Sequence, residues 1–362
     1  MTDRFATPVH AVPTNPSGWA LLSRLLNKTP PRINLALQGG GAHGAFTWGV
    51  LDALLLQSEL AFEGLSGSSA GAMNAVVFAD GWMKGGRAGA AQALAEFWTE
   101  VGRQMPWTPM TRGEDDVVNL TPATKLMAHW ATYFSPAQLN PFDLNPLRDL
   151  IKRQIDFAGL RKHSAFKLFI GATQASTGKL RVFRESELTM DMLLASACLP
   201  KIHHSVEIEG EPYWDGGYCA NPAVFPLFYD CESRDVMLVL LSPLKREGTP
   251  HTVQEIDTRI AELGFSAHFM REMRMFAQAK AFAGRPFIRW GPLERRLHAM
   301  RFHMIDSSGL ANLERSDTKL LAHGPFLELL RDQGRQRCSD WLTQHAPAIG
   351  QHATLDVQAY FT

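Results

Sequence analysis

The sequence lacks an excess of charge of either sign. Its 36 lysine and arginine residues are balanced by 36 aspartate and glutamate residues, so the net charge is zero with histidine neutral. Proteins that bind nucleic acid need a basic surface to neutralise phosphates. The composition therefore argues against a nucleic-acid partner and leaves open only a local basic face.

Long apolar runs are also missing. No stretch reaches the roughly 18 uninterrupted apolar residues of a membrane span. Residues 1–18 have neither the basic start nor the apolar centre of a secretory signal. We therefore expect a cytoplasmic protein, for which contact with a membrane surface remains open. The sequence indicates no oligomeric state.

Cysteine is scarce, and its spacing suggests no site. The chain has four cysteines, and none of them belongs to a CxxC pair. No cysteine–histidine spacing fits a zinc site, and the adjacent His203 and His204 cannot face one point on a regular element. The sequence thus predicts no disulfide framework and no bound metal, and nothing in it requires a cofactor.

The distribution of apolar residues suggests a large core with an appendage. Apolar residues make up 45% of the 362 residues, and strand patterns begin at Ile33. Helical spacing with little strand follows residue 245. We expect a flexible arm over residues 1–31, an α/β domain over 32–244 and a helical region over 245–362 packed on that domain.

Two successive strand–glycine–helix patterns open the α/β domain. The first runs from Ile33–Leu37 into a helix that begins near Phe46, and the second runs from Phe62–Leu65 into Ala72–Phe78. Repeated units of this kind predict a parallel sheet with helices on its faces. Further patterns indicate strands over Leu168–Ala172 and Val236–Leu241, helices over Ala91–Val101 and Asn145–Ile155, and loops over Gln104–Asp116 and Arg285–Pro292.

A glycine-rich turn follows the first strand pattern. Gly39, Gly41 and Gly44 form GxGxxG, which is typical of a dinucleotide-binding turn. Glu59 follows Gly39 by twenty residues, the distance of a ribose-binding acid. Consecutive glycines also expose backbone N–H groups at a helix N-terminus, where any anion is stabilised. The turn alone does not decide between a pyrophosphate, a transient oxyanion and a merely structural turn.

The second pattern contains a candidate nucleophile. Gly67, Ser69 and Gly71 form GxSxG between a strand and a helix, which is the context of a nucleophile elbow. The flanking glycines relieve crowding where the backbone must turn sharply. Ser69 is therefore expected at the tip of the turn, at the positive end of a helix.

A candidate base lies far along the chain. Asp215, Gly216 and Gly217 follow a hairpin pattern over residues 206–214. An aspartate before two glycines usually marks only a turn. It gains interest because a serine nucleophile needs a base. An ordinary aspartate is a weak base, so its site should bury it and raise its pKa.

The motifs GGGAHG, GSSAG and DGG, in this order, resemble the patatin-like phospholipase family. The segment Leu194–Pro200 and the pair Asn221-Pro222 are also similar to that family, and the resemblance covers roughly residues 32–230. It implies an α/β fold, a three-layer α/β/α sandwich with a mostly parallel central sheet, to which a C-terminal helical region is added. It also implies a lipid acyl hydrolase that cleaves carboxylic esters of phospholipids or related lipids.

The same resemblance implies roles for individual residues. Ser69 corresponds to the nucleophile and Asp215 to its base. The oxyanion hole is expected at the glycine-rich turn of Gly39, Gly40 and Gly41, completed by Ala70, the residue after the serine.

One position departs from the family pattern. The family usually has arginine or lysine where this chain has His43, which is mostly neutral at pH 7. Either His43 is a weakened anion contact, or it only packs or caps the turn.

Two other functions remain open at this point. GxSxG also marks α/β-hydrolases with a Ser–Asp–His triad, for which the downstream candidates are His251, His268, His298, His303 and His323. Alternatively, the chain is a non-catalytic nucleotide- or lipid-binding module that uses only the glycine-rich turn.

Two segments suggest contact with lipid. Phe265, Phe269, Met273 and Phe276 recur at helical spacing beside Arg271, Arg274 and Lys280, which is typical of a basic amphipathic helix on a membrane or of core packing. The second segment, Met105–Met110 with Trp107, is either a lid or an exposed connection.

Overall fold

The computed structural model describes residues 30–104, 110–112, 118–121, 138, 140, 145–246, 248–283 and 291–362. The expected N-terminal arm lies outside these ranges up to residue 29. The candidate lid with Trp107 also lies outside them, as does most of the loop expected over 285–292.

An eight-stranded mixed sheet forms the centre of the fold. The strands of the described chain are β1 (Arg32–Leu37), β2 (Ala61–Gly67), β3 (Met110–Arg112), β4 (Val118–Leu120), β5 (Lys167–Gln174), β6 (Leu180–Arg184), β7 (Val206–Ile208), β8 (Glu211–Asp215), β9 (Asp235–Val239) and β10 (Arg301–Ile305). Their order is β10-β9-β1-β2-β5-β8-β7, and β6 also pairs with β5. Strands β10, β9, β1, β2 and β5 are parallel to one another. Strands β6, β7 and β8 pair antiparallel with their neighbours. A separate hairpin joins β3 to β4.

Helices cover both faces of this sheet. They are α1 (Gly44–Leu55), α2 (Ala70–Arg103), α3 (Pro146–Gln154), α4 (Phe157–His163), α5 (Met190–Ser196), α6 (Phe225–Asp230), α7 (Val253–Ala283), α8 (Pro292–Ala299), α9 (Gly324–His345) and α10 (Val357–Phe361). No helix of the described ranges combines the length and apolar content needed to cross a bilayer.

Alternate residues of the strands enter two separate cores. In β9, Met237 and Val239 pack with α1, α2 and α9, whereas Val236 and Leu238 pack with α6, α7 and α10. Successive strand residues point to opposite faces, so each buried strand serves both cores. The expected α/β/α sandwich with a mostly parallel sheet is confirmed.

The helices predicted over 72–78 and 91–101 belong to one long element. Both lie in α2, whose helical geometry is interrupted at Gly85 and Gly86. Gly86 has φ of 59°, which glycine adopts at no steric cost. The strand patterns at residues 33–37, 62–65 and 168–172 are confirmed, as is the hairpin over 206–214.

The C-terminal region contributes to the sheet as well as to the helical layer. Strand β10 pairs with β9 and forms one edge of the sheet. Helix α9 packs closely on α1, because Gly49 meets the backbone of Arg331 and Gly334 meets the backbone of Phe46. A region for which little strand was expected therefore completes the central sheet.

Candidate active site

Ser69 lies at a sharp turn between β2 and α2. Its φ of 54° and ψ of −126° place it in a region that residues other than glycine seldom occupy. The turn is tight because a Cβ on Gly67 would lie 2.5 Å from the carbonyl carbon of Gly71. The spacing of GxSxG thus has a steric cause, and the elbow lifts Ser69 to the N-terminus of α2.

Asp215 ends β8 with its carboxyl group buried. Its side chain is 1% exposed, and Oδ1 accepts the N–H of Gly217 at 2.7 Å. Oδ2 accepts no hydrogen bond of good geometry from the described residues. The hydroxyl of Ser69 is nevertheless close enough to lower the carboxyl's pKa by hydrogen bonding. The two side chains that were predicted to act together therefore meet.

Burial dominates the acidity of this carboxyl. Desolvation raises the pKa of Asp215 to about 6, against the opposing effects of the Gly217 hydrogen bond and the nearby Ser69 hydroxyl. A carboxylate with a pKa near 6 is a much better proton acceptor at neutral pH than an exposed aspartate. The raised pKa expected from the sequence is confirmed.

The end of α5 and the residues just after it fix the backbones of both residues. The N–H of Ser69 lies 3.0 Å from the carbonyl oxygen of Ser196 and 3.1 Å from its Oγ. The carbonyl of Cys198 accepts the N–H of Asp215 at 2.8 Å. This segment lies within the stretch 194–200 that resembled the family, and its contacts explain why it accompanies the three motifs.

The glycine-rich turn lies directly against the elbow. A Cβ on Gly39 would lie 2.5 Å from the carbonyl oxygen of Ser68 and 2.8 Å from Cβ of Ser69. The N–H of Gly39 donates to Oδ1 of Asn221 at 2.7 Å and is therefore occupied. Of the four expected oxyanion donors, this one is not free.

The other expected oxyanion donors are the N–H groups of Gly40, Gly41 and Ala70. Gly41 is the first residue of a 3-10 turn over Gly41–His43, and Ala70 is the first residue of α2. N–H groups at such positions have no acceptor within their own helix. Gly40 precedes the turn and lines the same cavity as Ser69.

His43 points away from the cavity into the protein. It is fully buried, and its Nε2 lies 2.7 Å from Oγ1 of Thr318. The Thr318 hydroxyl has carbonyl oxygens of Asn312 and Arg315 as acceptors, so His43 donates from Nε2. Burial, and secondarily the charge of Lys319, lowers the pKa of His43 to about 3. Its burial, its contact with Thr318 and its lowered pKa support the alternative in which a neutral His43 packs the turn.

Ser69 and Asp215 open into a cavity of about 240 Å³. Its lining residues are Gln38, Gly39, Gly40, Gly41, Ser69, Leu199, Ile202, Asp215, Asn221, Ser242, Glu262, Phe265, Ser266, Lys319 and Leu320. Five of them follow residue 245 in the chain. Sequence motifs predicted one wall of this site, but no local motif identifies the wall that α7 and the segment around Lys319 contribute.

The histidines of a triad and the acid of a dinucleotide site do not line this cavity. None of the five downstream histidines lines the cavity, and His303 is buried against Asp235 at 3.0 Å. Glu59 precedes β2, whereas Gly39 follows the parallel β1. These two residues therefore lie at opposite ends of the parallel strands. In a dinucleotide site, the acid and the glycines lie at the same end. In the described part of the chain, no three acidic, cysteine or histidine side chains converge as metal ligands would.

The aromatic stripe on α7 is mainly core. Phe269 and Met273 are fully buried, and Phe276 packs against the same cluster. Phe265 instead lines the cavity and contacts Tyr218, with ring centroids 4.6 Å apart. The core-packing interpretation of this stripe is therefore correct, and one of its members belongs to the site.

Comparisons with known proteins identify a matching family model. A family model described as Patatin-like phospholipase matches residues 35–228, more than half of the chain, and this range contains both Ser69 and Asp215. No curated protein matches the chain. The crystal structure of VipD from Legionella pneumophila is similar at 15% identity, over 85% of this chain and 67% of that chain, with a TM-score of 0.33.

Proposed function

Because this chain belongs to the patatin-like phospholipase family, we propose that it hydrolyses carboxylic esters of phospholipids or related lipids with Ser69 as nucleophile and Asp215 as base. The observation that carries the proposal is the meeting of the Ser69 hydroxyl with the buried Asp215 carboxyl in one cavity. Membership of a family of lipid acyl hydrolases indicates the type of reaction. The geometry of this pair supports the roles of Ser69 as nucleophile and Asp215 as base.

Acylation begins at the serine. Ser69 Oγ attacks the ester carbonyl carbon while Asp215 accepts the hydroxyl proton. The carbonyl oxygen becomes an oxyanion that the N–H groups of Gly40, Gly41 and Ala70 stabilise. When the tetrahedral intermediate collapses, the C–O bond breaks and the departing alkoxide takes the proton from Asp215. The products are a free alcohol and an acyl group bound to Ser69.

Deacylation repeats these steps with water. Asp215 accepts a proton from a water molecule, whose oxygen attacks the acyl carbonyl carbon at the same oxyanion site. Collapse breaks the bond to Ser69 Oγ, which recovers its proton from Asp215. The acyl chain leaves as a carboxylic acid, and no imidazole is needed at any step.

The cavity's composition supports a lipid substrate. Its volume of about 240 Å³ lies below the roughly 300–1,000 Å³ of sites that enclose a drug-sized ligand. A long acyl chain must therefore extend across the rim, where Ile202 is 38% and Leu320 is 60% exposed. These two side chains also offer the apolar surface through which the protein would contact a membrane.

Covalent labelling tests the proposal directly. A fluorophosphonate probe is expected to label the wild-type protein and the Ser176→Ala control, whose serine is exposed and does not line the cavity. Ser69→Ala should lose both labelling and turnover of a p-nitrophenyl ester. Labelling that persists in Ser69→Ala would exclude this nucleophile, and an unreactive wild-type protein would favour a binding module.

Two further sets of variants separate the dyad from a triad. Asp215→Asn should lower kcat by about 10²–10⁴, the usual contribution of a general base, with the fold unchanged by circular dichroism. Substitution of the downstream histidines one at a time should leave turnover within a few-fold of wild type. A histidine variant as inactive as Ser69→Ala would overturn the dyad.

A further inference from the structure

A 3-10 turn from the C-terminal region is fixed on the glycine-rich turn. This second turn covers Ser316–Leu320. A Cβ on Gly41 would overlap the carbonyl oxygen of Lys319, so the two backbones are in direct contact. The neighbouring Thr318 accepts the hydrogen bond from buried His43 at 2.7 Å. Lys319 is thereby held beside the expected oxyanion site.

Lys319 contributes a positive charge to the wall of the cavity. Lys319 lines the cavity together with Ser69 and the glycine-rich turn. Its Nζ has one long contact, to Oγ of Ser242 at 3.5 Å. Across the described ranges, Lys319 forms no ion pair. An ammonium has three donors, so donor capacity remains for a ligand in the cavity.

The acidic side chain near Lys319 is already occupied. Glu262 forms ion pairs with Arg246 at 2.6 Å and with Arg259 at 3.2 Å. It also accepts a hydrogen bond from Ser316 at 2.5 Å. These contacts occupy the Glu262 carboxylate, which acts on Lys319 only through its charge.

Burial also has an energetic cost for the charged form of Lys319. Desolvation lowers the pKa of Lys319, and the charge of Arg246 acts in the same direction, while Glu262 opposes both. A bound anion would remove part of this cost, because an opposite charge favours the ammonium form. A negatively charged group next to Lys319 is therefore bound more favourably than a neutral one.

We propose that Lys319 is a specificity-determining residue that binds an anionic phosphoester group on the alcohol side of the substrate. The inference rests on the proposed ester hydrolysis at Ser69 and extends it to the substrate class. An acyl chain is apolar along its length and suits Leu199, Ile202 and Phe265. Negative charge next to the scissile ester must therefore come from the alcohol, as in a glycerophosphate ester.

Two substrates that differ only in a phosphate group test this assignment. They are 1-oleoyl lysophosphatidate and 1-monoolein, supplied as monomers. Lys319→Met keeps the aliphatic stem and removes the charge. It is expected to lower kcat/KM for lysophosphatidate about tenfold or more, the usual effect of losing one charge-assisted hydrogen bond, and to lower kcat/KM for monoolein much less.

Two matched variants serve as controls. Lys162→Met removes an exposed lysine far from the cavity and should not change either substrate. Lys319→Arg keeps the positive charge and should retain most of the preference for lysophosphatidate. Equal loss on both substrates in Lys319→Met would overturn the proposal, because Lys319 would then act on the fold or on the oxyanion.

Binding and inhibition separate the remaining outcomes. Calorimetry with Ser69→Ala should detect lysophosphatidate more tightly than monoolein, and the added Lys319→Met should abolish the difference. This readout holds even if the wild-type protein hydrolyses neither ester, a result that would refute only the proposed hydrolysis.

Inorganic phosphate should inhibit monoolein turnover only far above the KM for lysophosphatidate. Inhibition at or below that concentration would assign the site to free phosphate instead.

Discussion

Asn221 and Gly39 hydrogen-bond to each other in both directions, although 182 residues separate them. The N–H of Gly39 donates to Oδ1 of Asn221 at 2.7 Å, and Nδ2 of Asn221 donates to the carbonyl of Gly39 at 3.4 Å. This pair joins the glycine-rich turn to the chain just after Asp215. The oxyanion donors and the base therefore share one rigid connection.

Asn221→Ala should lower kcat by more than its loss of folding stability alone would explain. It leaves the buried N–H of Gly39 without an acceptor, which costs about 1–3 kcal/mol, and it frees the turn that positions Gly40 and Gly41. We expect kcat to fall at least tenfold. Asn34→Ala is the control, because buried Asn34 also bridges two backbones, Gly64 and Ser233, but lies away from the cavity. Equal kcat in the two variants would contradict this role.

The pH dependence of hydrolysis should report Asp215. Its pKa is raised to about 6, and only the ionised form accepts the serine proton. Below pH 6, kcat/KM for a soluble p-nitrophenyl ester should therefore fall about tenfold per pH unit, and above pH 7 it should level off. Circular dichroism at each pH controls for unfolding. A flat profile from pH 5 to pH 7 would contradict Asp215 as the base.

Glu272 should make the protein less stable at high pH. Burial raises the pKa of Glu272 to about 7, against the hydrogen bonds that its Oε1 accepts from the N–H groups of Val224 and Phe225. The folded protein then binds a proton that the unfolded chain releases above its ordinary pKa of about 4.3. The free energy of unfolding therefore decreases as pH rises from there through 7.

Glu272→Gln isolates this effect, because a glutamine oxygen can accept the same two hydrogen bonds without a charge. The variant should match wild type in urea unfolding at pH 4 and exceed it at pH 8, by on the order of 3 kcal/mol. A constant difference between the two pH values would exclude Glu272 as the titrating group.

Docking of helix α9 on α1 should depend on one glycine. A Cβ on Gly334 would overlap the backbone of Phe46, so Gly334→Ala must separate α9 from α1. We expect a loss of at least about 2 kcal/mol in the free energy of unfolding. Gly264→Ala, in a helix position with open space, should instead gain roughly 0.5–1 kcal/mol. Urea unfolding of both variants compares the two directly.

The sequence sufficed for the central features of the fold and site because they depend on local constraints. Strand–glycine–helix units, and glycines two places either side of Ser69, reflect steric requirements within a few residues. Asp215 needed more than its local pattern, and it became interpretable because a serine nucleophile requires a base.

Other features depend on contacts between distant residues, which no local pattern contains. Arg301 and His303 made β10 a poor strand candidate, yet both bind Asp235 of the neighbouring β9. The occupied N–H of Gly39 and the cation Lys319 beside Gly41 likewise became visible only once the chain was folded. The sequence also left two roles open for His43, because its contact with Thr318 joins residues 275 positions apart.

The contact between the Ser316–Leu320 turn and the glycine-rich turn also has a consequence for any shortened version of the protein. The segment that matches the family, residues 35–228, contains Ser69 and Asp215 but not β10, Lys319 or α9. A fragment cut back to that segment would therefore lack the edge of its sheet and one wall of its cavity.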